Sequence, residues 1–127
     1  MNFREIQVLH ALVALVFGLF ALLEPASMLS FFGMTSGHEI DLVARFFGVE
    51  LLAVSLISWY TREINEKPAQ MAIARAFAIA SIFGILTTFI GVLTGVLNIA
   101  GSIAGFSLYG ILTLGYFFLL VSKPKRS

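Results

Sequence analysis

A carboxylate, a guanidinium, an imidazole and a phenol stand inside apolar runs of this chain: Glu50, Arg75, His10 and Tyr116. An ionised group in hydrocarbon costs at least about 2.5–3.5 kcal/mol on insertion scales, so a partner, a wet cavity or a function must keep it there. Glu50 and Arg75 have the charges of an ion pair. A histidine, a tyrosine and the hydroxyl of Ser55 supply hydrogen bonds around such a pair, or to the head of a bound molecule. We read these five residues as the lining of a ligand site that recognises a small hydrophobic or amphipathic molecule, a quinone or a lipid. Phe17, Phe47 and Phe83 are expected to line its apolar part. Arg45 and Glu24 read as a second polar site, nearer the opposite surface. No nucleophile–base pair, metal set or nucleotide loop is apparent, so enzymatic chemistry is the least supported function. The two histidines, His10 and His38, fall at opposite ends of the first apolar stretch, too far apart for one haem iron.

The elements that must position these residues follow from composition. Of 127 residues 59% are hydrophobic and 12% charged, where a soluble domain has about 25% charged. With a mean hydropathy of +0.98, the chain reads as one all-α integral membrane domain. The net charge of +1 leaves no basic face for nucleic acid. Cysteine is absent, which excludes disulfides, thiolate metal sites and thiol redox chemistry.

Four apolar segments are long enough to cross a bilayer, which takes about 20 residues. The expectation is an antiparallel four-helix bundle with helices at about 2–24, 40–62, 68–98 and 100–121. The first apolar run lacks a small-x-small cleavage site and reads as a retained helix rather than a leader. Glu24-Pro25 breaks the first helix, because the residue before proline leaves the α region. A short interfacial segment then runs through Phe32, and Glu39 or Asp41 opens the second helix. Trp59 and Tyr60 beside Arg62 form an interfacial anchor at its end. The connection 63–68 is short, which predicts that the second and third helices are antiparallel neighbours. In the third helix Gly84, Thr87, Gly91, Thr94 and Asn98 recur every 3 or 4 residues, and Gly91 and Gly95 make a GxxxG. Such a seam lets two backbones pack closely, either within the bundle or between two copies.

Arg4, Arg62, Lys67, Lys123, Lys125 and Arg126 fall on one side, and the loops 33–41 and 97–101 carry no Lys or Arg. Both termini are therefore expected on the cytoplasmic side. Measured from that side at 1.5 Å per residue, His10 lies about 12 Å deep, Glu50 about 18 Å, Arg75 and Ser55 about 10 Å and Tyr116 about 9 Å. Every helix thus contributes to one half of the membrane, and Glu50–Arg75 is the expected pair. Arg45 lies about 26 Å deep, near Glu24 and Thr87.

The succession of Glu24-Pro25, Phe32-Gly33, Asp41-Leu-Val-Ala-Arg45-Phe-Phe-Gly48, Trp59, Arg62 and Gly95-Val-Leu-Asn98 resembles the small four-helix membrane proteins called DoxX-like. The likeness runs over nearly the whole chain, on short motifs. It implies a four-helix bundle, and for some relatives an association with quinone-linked oxidoreductases as membrane subunits. The alternative to ligand binding is accordingly a structural or accessory subunit, with a second copy or another membrane protein as partner. A small transporter using Glu50 is a third reading.

Overall fold

The computed structural model describes residues 1–122, and among them the chain is all-helical. Its five helices are α1 (Phe3–Leu23), α2 (Pro25–Phe32), α3 (His38–Thr61), α4 (Lys67–Leu93) and α5 (Ile99–Val121). Of these α1, α4 and α5 are long and apolar enough to cross a membrane. Their outer faces suit hydrocarbon rather than water: Val16, Phe83, Leu93 and Leu114 are all more than three-fifths exposed. Lys123, Lys125 and Arg126 lie outside the described residues.

Local chemistry sets the ends. Asn2 and Glu5 close a reciprocal capping box on α1, with Glu5 N–H donating to Asn2 Oδ1 at 2.9 Å and Asn2 N–H to Glu5 Oε2 at 2.8 Å. Pro25 ends α1 and occupies the first turn of α2. Gly33 ends α2 at φ 88°, and a Cβ there would lie 2.9 Å from Asn98. Ser36 Oγ donates to the Asp41 carboxylate at 2.7 Å at the entrance of α3. The interfacial segment expected after Pro25 is thus a full helix, α2, which adds a fifth element to the four expected.

The third long helix stops at Leu93, not near Asn98. Gly95 adopts φ 71°, and the N–H groups of Val96 and Leu97 turn back to Gly91 C=O at 3.0 and 3.1 Å. A glycine that reads as half of a GxxxG is here the left-handed residue of a helix stop. Asn98 belongs to the next helix. Its Oδ1 accepts from Gly101 N–H at 2.7 Å, and its own N–H donates to Phe32 C=O at 3.1 Å, which ties α5 to α2.

The helices pack as two pairs, α1 with α3 and α4 with α5. Gly18 and Gly48 set the first pair: a Cβ on Gly48 would meet Gly18 O at 2.7 Å and Leu22 N at 2.8 Å. The second pair uses Gly84 against the Tyr109 ring and Gly105 against Thr88. The small-residue seam of α4 is therefore filled from within the chain by Gly84, while Gly91 packs on Leu97 of the following loop. Thr87 is exposed and Thr88 is the buried hydroxyl residue. One small core joins the pairs, and a second ties α2 to the first pair. Ile6, Ala74, Ala78, Leu112 and Tyr116 link α1, α4 and α5 at one end. Ala21, Met28, Leu29 and Ala44 link α1, α2 and α3 at the other. Contrary to expectation, α3 packs along α1 rather than along α4, although a five-residue loop joins α3 to α4.

Candidate functional site

At the end of the molecule that carries Arg4, Arg62 and Lys67, a chain of polar side chains crosses between helices. Thr61 Oγ1 donates to Ile57 C=O at 2.7 Å within α3. A hydroxyl has one proton, so Gln7 must be the donor in its 2.6 Å bond to Thr61 Oγ1, through Nε2. Gln7 Oε1 then faces α5 and accepts from Tyr116 Oη at 2.5 Å. With the phenol proton committed to Gln7, His10 Nδ1–H donates to Tyr116 Oη at 2.8 Å. That places a proton on Nδ1, and in the neutral ring it leaves the lone pair on Nε2. Gln7 and Tyr116 are fully buried and His10 nearly so. The His10 ring meets the edge of Phe77 at 4.5 Å between centroids, and Phe77 packs on Tyr116 at 5.3 Å. A polar chain thus binds α1, α3 and α5 together, and α4 covers it with Phe77. Nearby, Ser55 Oγ donates to Ala11 C=O at 2.7 Å across the α1–α3 seam, while the fully buried Ser58 hydroxyl has no partner among the described residues.

Of the five residues expected to share a site, the structure brings His10 and Tyr116 into contact and uses Ser55 as an interhelical strut. Glu50 and Arg75 are placed elsewhere. Both are exposed, and among the described residues the ion pairs are Arg4–Glu63 at 3.2 Å and Arg62–Glu63 at 3.3 Å. The expected Glu50–Arg75 pair fails because α3 and α4 pack on different partners, so equal depth does not bring the two side chains together. Nor does Arg45 pair with Glu24; its guanidinium donates to Leu22 C=O at 3.1 Å and both residues are exposed. Phe47 and Phe83 face outward, and only Phe17 turns inward, toward Phe32 at 6.4 Å. Gln7 and Thr61 were not anticipated. The signal for Gln7 was its spacing: it precedes His10 by three residues and so shares its helix face.

Beside the polar chain lies a half-open cleft of about 360 Å³. Phe3, Ala74 and Leu119 give it apolar lining, while Arg4, Arg62 and Lys67, the single carboxylate of Glu63 and the amides of Asn2, Asn65 and Gln70 give it polar lining. Gln70 Nε2 donates to Ile64 C=O at 2.6 Å, which closes the loop side. Arg62 is stacked on Trp59, its guanidinium carbon 3.6 Å from the ring centre. Ala74 and Leu119 also pack against the core around Tyr116, so the wall of the cleft is the outer side of the layer that holds the polar chain. Cations beside apolar side chains in one cleft suit an amphipathic molecule with an anionic or strongly hydrogen-bonding head. Comparison with protein-family models, with curated proteins and with solved structures returned no match for this chain.

Proposed function

We propose that the chain is a four-span integral membrane protein, with α1, α3, α4 and α5 crossing the bilayer, that binds a small amphipathic molecule at its basic, cytoplasmic end. On this reading α2 lies at the opposite interface. The observation that carries the reading is the cleft, in which Arg4, Arg62 and Lys67 share one carboxylate, Glu63, beside the apolar side chains of Phe3, Ala74 and Leu119. The ligand head sits among Arg4, Arg62 and Lys67, and its tail runs along Phe3, Ala74 and Leu119. Among head groups, a lipid phosphate matches the three cations better than a quinone carbonyl does.

The test is native mass spectrometry of the detergent-purified protein reloaded in nanodiscs of phosphatidylglycerol, of phosphatidylcholine, or of phosphatidylcholine with ubiquinone. The expected result is a retained phosphatidylglycerol that Arg62→Ala/Lys67→Ala removes, with helicity unchanged. Equal retention of all three amphipaths, or retention that survives the double substitution, refutes the cleft as the site. A second reading, a structural or accessory subunit, is favoured by the closed polar chain. Gln7, Tyr116 and Thr61 bond one another and leave no hydroxyl proton for a ligand.

A further inference from the structure

Two of the three cations that line the cleft are already engaged, and by one atom. Glu63 Oε1 lies 3.2 Å from Arg4 Nη2 and 3.3 Å from Arg62 Nε, so a single carboxylate oxygen bridges guanidiniums from α1 and from the end of α3. Lys67, the third cation, has no ion-pair partner among the described residues. The three bridged groups are not equally held. Arg62 Nη1 donates to Trp59 C=O, its guanidinium stacks on the Trp59 ring, and its side chain is 20% exposed. Arg4 and Glu63 are 65% and 57% exposed. Arg62 is thus the fixed post, and Arg4 and Glu63 are the parts free to move. An oxygen between two guanidiniums stands where an oxygen of an anionic head group must stand to reach both. An exposed ion pair is weak, so the Glu63 carboxylate is released to water at little cost.

We propose that Glu63 is an internal competitor for the cleft: its carboxylate holds Arg4 and Arg62 when the cleft is empty, and an anionic head group displaces it from both. A phosphate diester brings two free oxygens, so it replaces the one bridging oxygen and has another for Lys67. The choline of a phosphatidylcholine would instead bring a fourth cation to a site that has just given up its carboxylate. Only a head that binds the two guanidiniums better than Glu63 does is retained, so Glu63 determines specificity without being a ligand contact. The proposal rests on the cleft being the ligand site, as in the reading above, and not on which helices span the bilayer.

Trp59 is the chain's single tryptophan and stacks with Arg62, so its fluorescence reports on the site. Dioctanoylphosphatidylglycerol and dioctanoylphosphatidylcholine are titrated separately into the protein in dodecylmaltoside micelles. Glu63→Gln is expected to tighten phosphatidylglycerol binding about two- to fivefold, the range an exposed ion pair allows, and to leave phosphatidylcholine unchanged. Glu66→Gln removes a nearby carboxylate that does not line the cleft and is expected to change neither. The competitor alone is overturned if Glu63→Gln gives no gain while the parent prefers phosphatidylglycerol and Arg62→Ala/Lys67→Ala abolishes that preference. A gain shared by both lipids, or an equal gain for Glu66→Gln, overturns it too, as a general charge effect. If the parent binds both lipids equally or neither, or the double substitution keeps the preference, the cleft reading falls and the competitor falls with it.

Discussion

Tyr116 is the hinge of the buried polar chain, and Tyr116→Phe tests whether that chain holds the fold together. The substitution keeps the ring, and with it the packing against Phe77 at 5.3 Å. It removes the hydroxyl that accepts from His10 at 2.8 Å and donates to Gln7 at 2.5 Å. Interhelical hydrogen bonds in membranes average about 0.6 kcal/mol and reach about 1.7. The larger effect is what remains: Gln7 Oε1, in a residue with 0% exposure, is left without a donor, and a buried unsatisfied acceptor costs about 1–3 kcal/mol. His10 can move its proton to Nε2, but its Nδ1 then lacks a donor instead. The expected loss is about 2–3 kcal/mol, a shift of about 30- to 150-fold in the unfolding equilibrium. Equilibrium unfolding in mixed dodecylmaltoside–SDS micelles, followed by near-ultraviolet circular dichroism, reads it. The double variant Gln7→Met/Tyr116→Phe replaces both partners by apolar groups, so it should cost at least about 1 kcal/mol less than the sum of the single changes. A Tyr116→Phe protein within about 0.5 kcal/mol of the parent, or a coupling near zero, refutes the reasoning.

Four further substitutions probe the packing in the same assay. Gly48→Ala should destabilise by about 1–3 kcal/mol, because its Cβ would meet backbone atoms of Gly18 and Leu22 at 2.7 and 2.8 Å and α1 must move away from α3. Gly110→Ala, whose Cβ enters open space, should be neutral or stabilise by up to about 1 kcal/mol; equal effects at the two glycines would contradict the α1–α3 approach. Ser58→Ala should stabilise by up to about 1 kcal/mol, since it removes a buried hydroxyl without a partner; a loss larger than that would mean the hydroxyl is bonded. Asn98→Ala should cost about 1 kcal/mol by freeing Gly101 N–H, now bonded at 2.7 Å, and unchanged stability would show that α5 does not depend on its cap.

The helices were legible because apolar runs of this length admit little else, and their starts were legible where a cap or a proline marks them, as at Asn2, Pro25 and Pro68. The end of α4 was not. Gly91 and Gly95 satisfy the spacing of a packing motif and the chemistry of a helix stop equally well, and only the direction taken by Val96 and Leu97 decides between them. His10 and Tyr116 could be matched by depth alone, since their helices are in contact. Depth failed for Glu50 and Arg75, because height along a helix leaves open both which helix lies beside it and which way the residue turns. The turn was partly available: Ala44, Gly48, Ser55 and Ser58 fall on one side of α3 and Glu50 stands well off it, but the small Ala53 stands off it too. Gln7 is harder to read because a glutamine one turn into a membrane helix looks interfacial, and only its three-residue spacing from His10 marks it as inward-facing.

The two sets of polar residues end on opposite sides of the helices for a physical reason. A chain of neutral groups can be satisfied inside a narrow bundle, because each needs only a donor and an acceptor at hydrogen-bonding distance, and Thr61, Gln7, Tyr116 and His10 supply these in sequence. A carboxylate and a guanidinium at the same depth would each have to be desolvated first, which costs several kcal/mol per ion before their attraction is counted. The α1–α3 seam has no room for that, being built on Gly18 and Gly48 at backbone contact. The fold therefore separates its polar groups: neutral hydrogen bonds hold the helices of one chain together, and Glu50 and Arg75 stay on its outer faces.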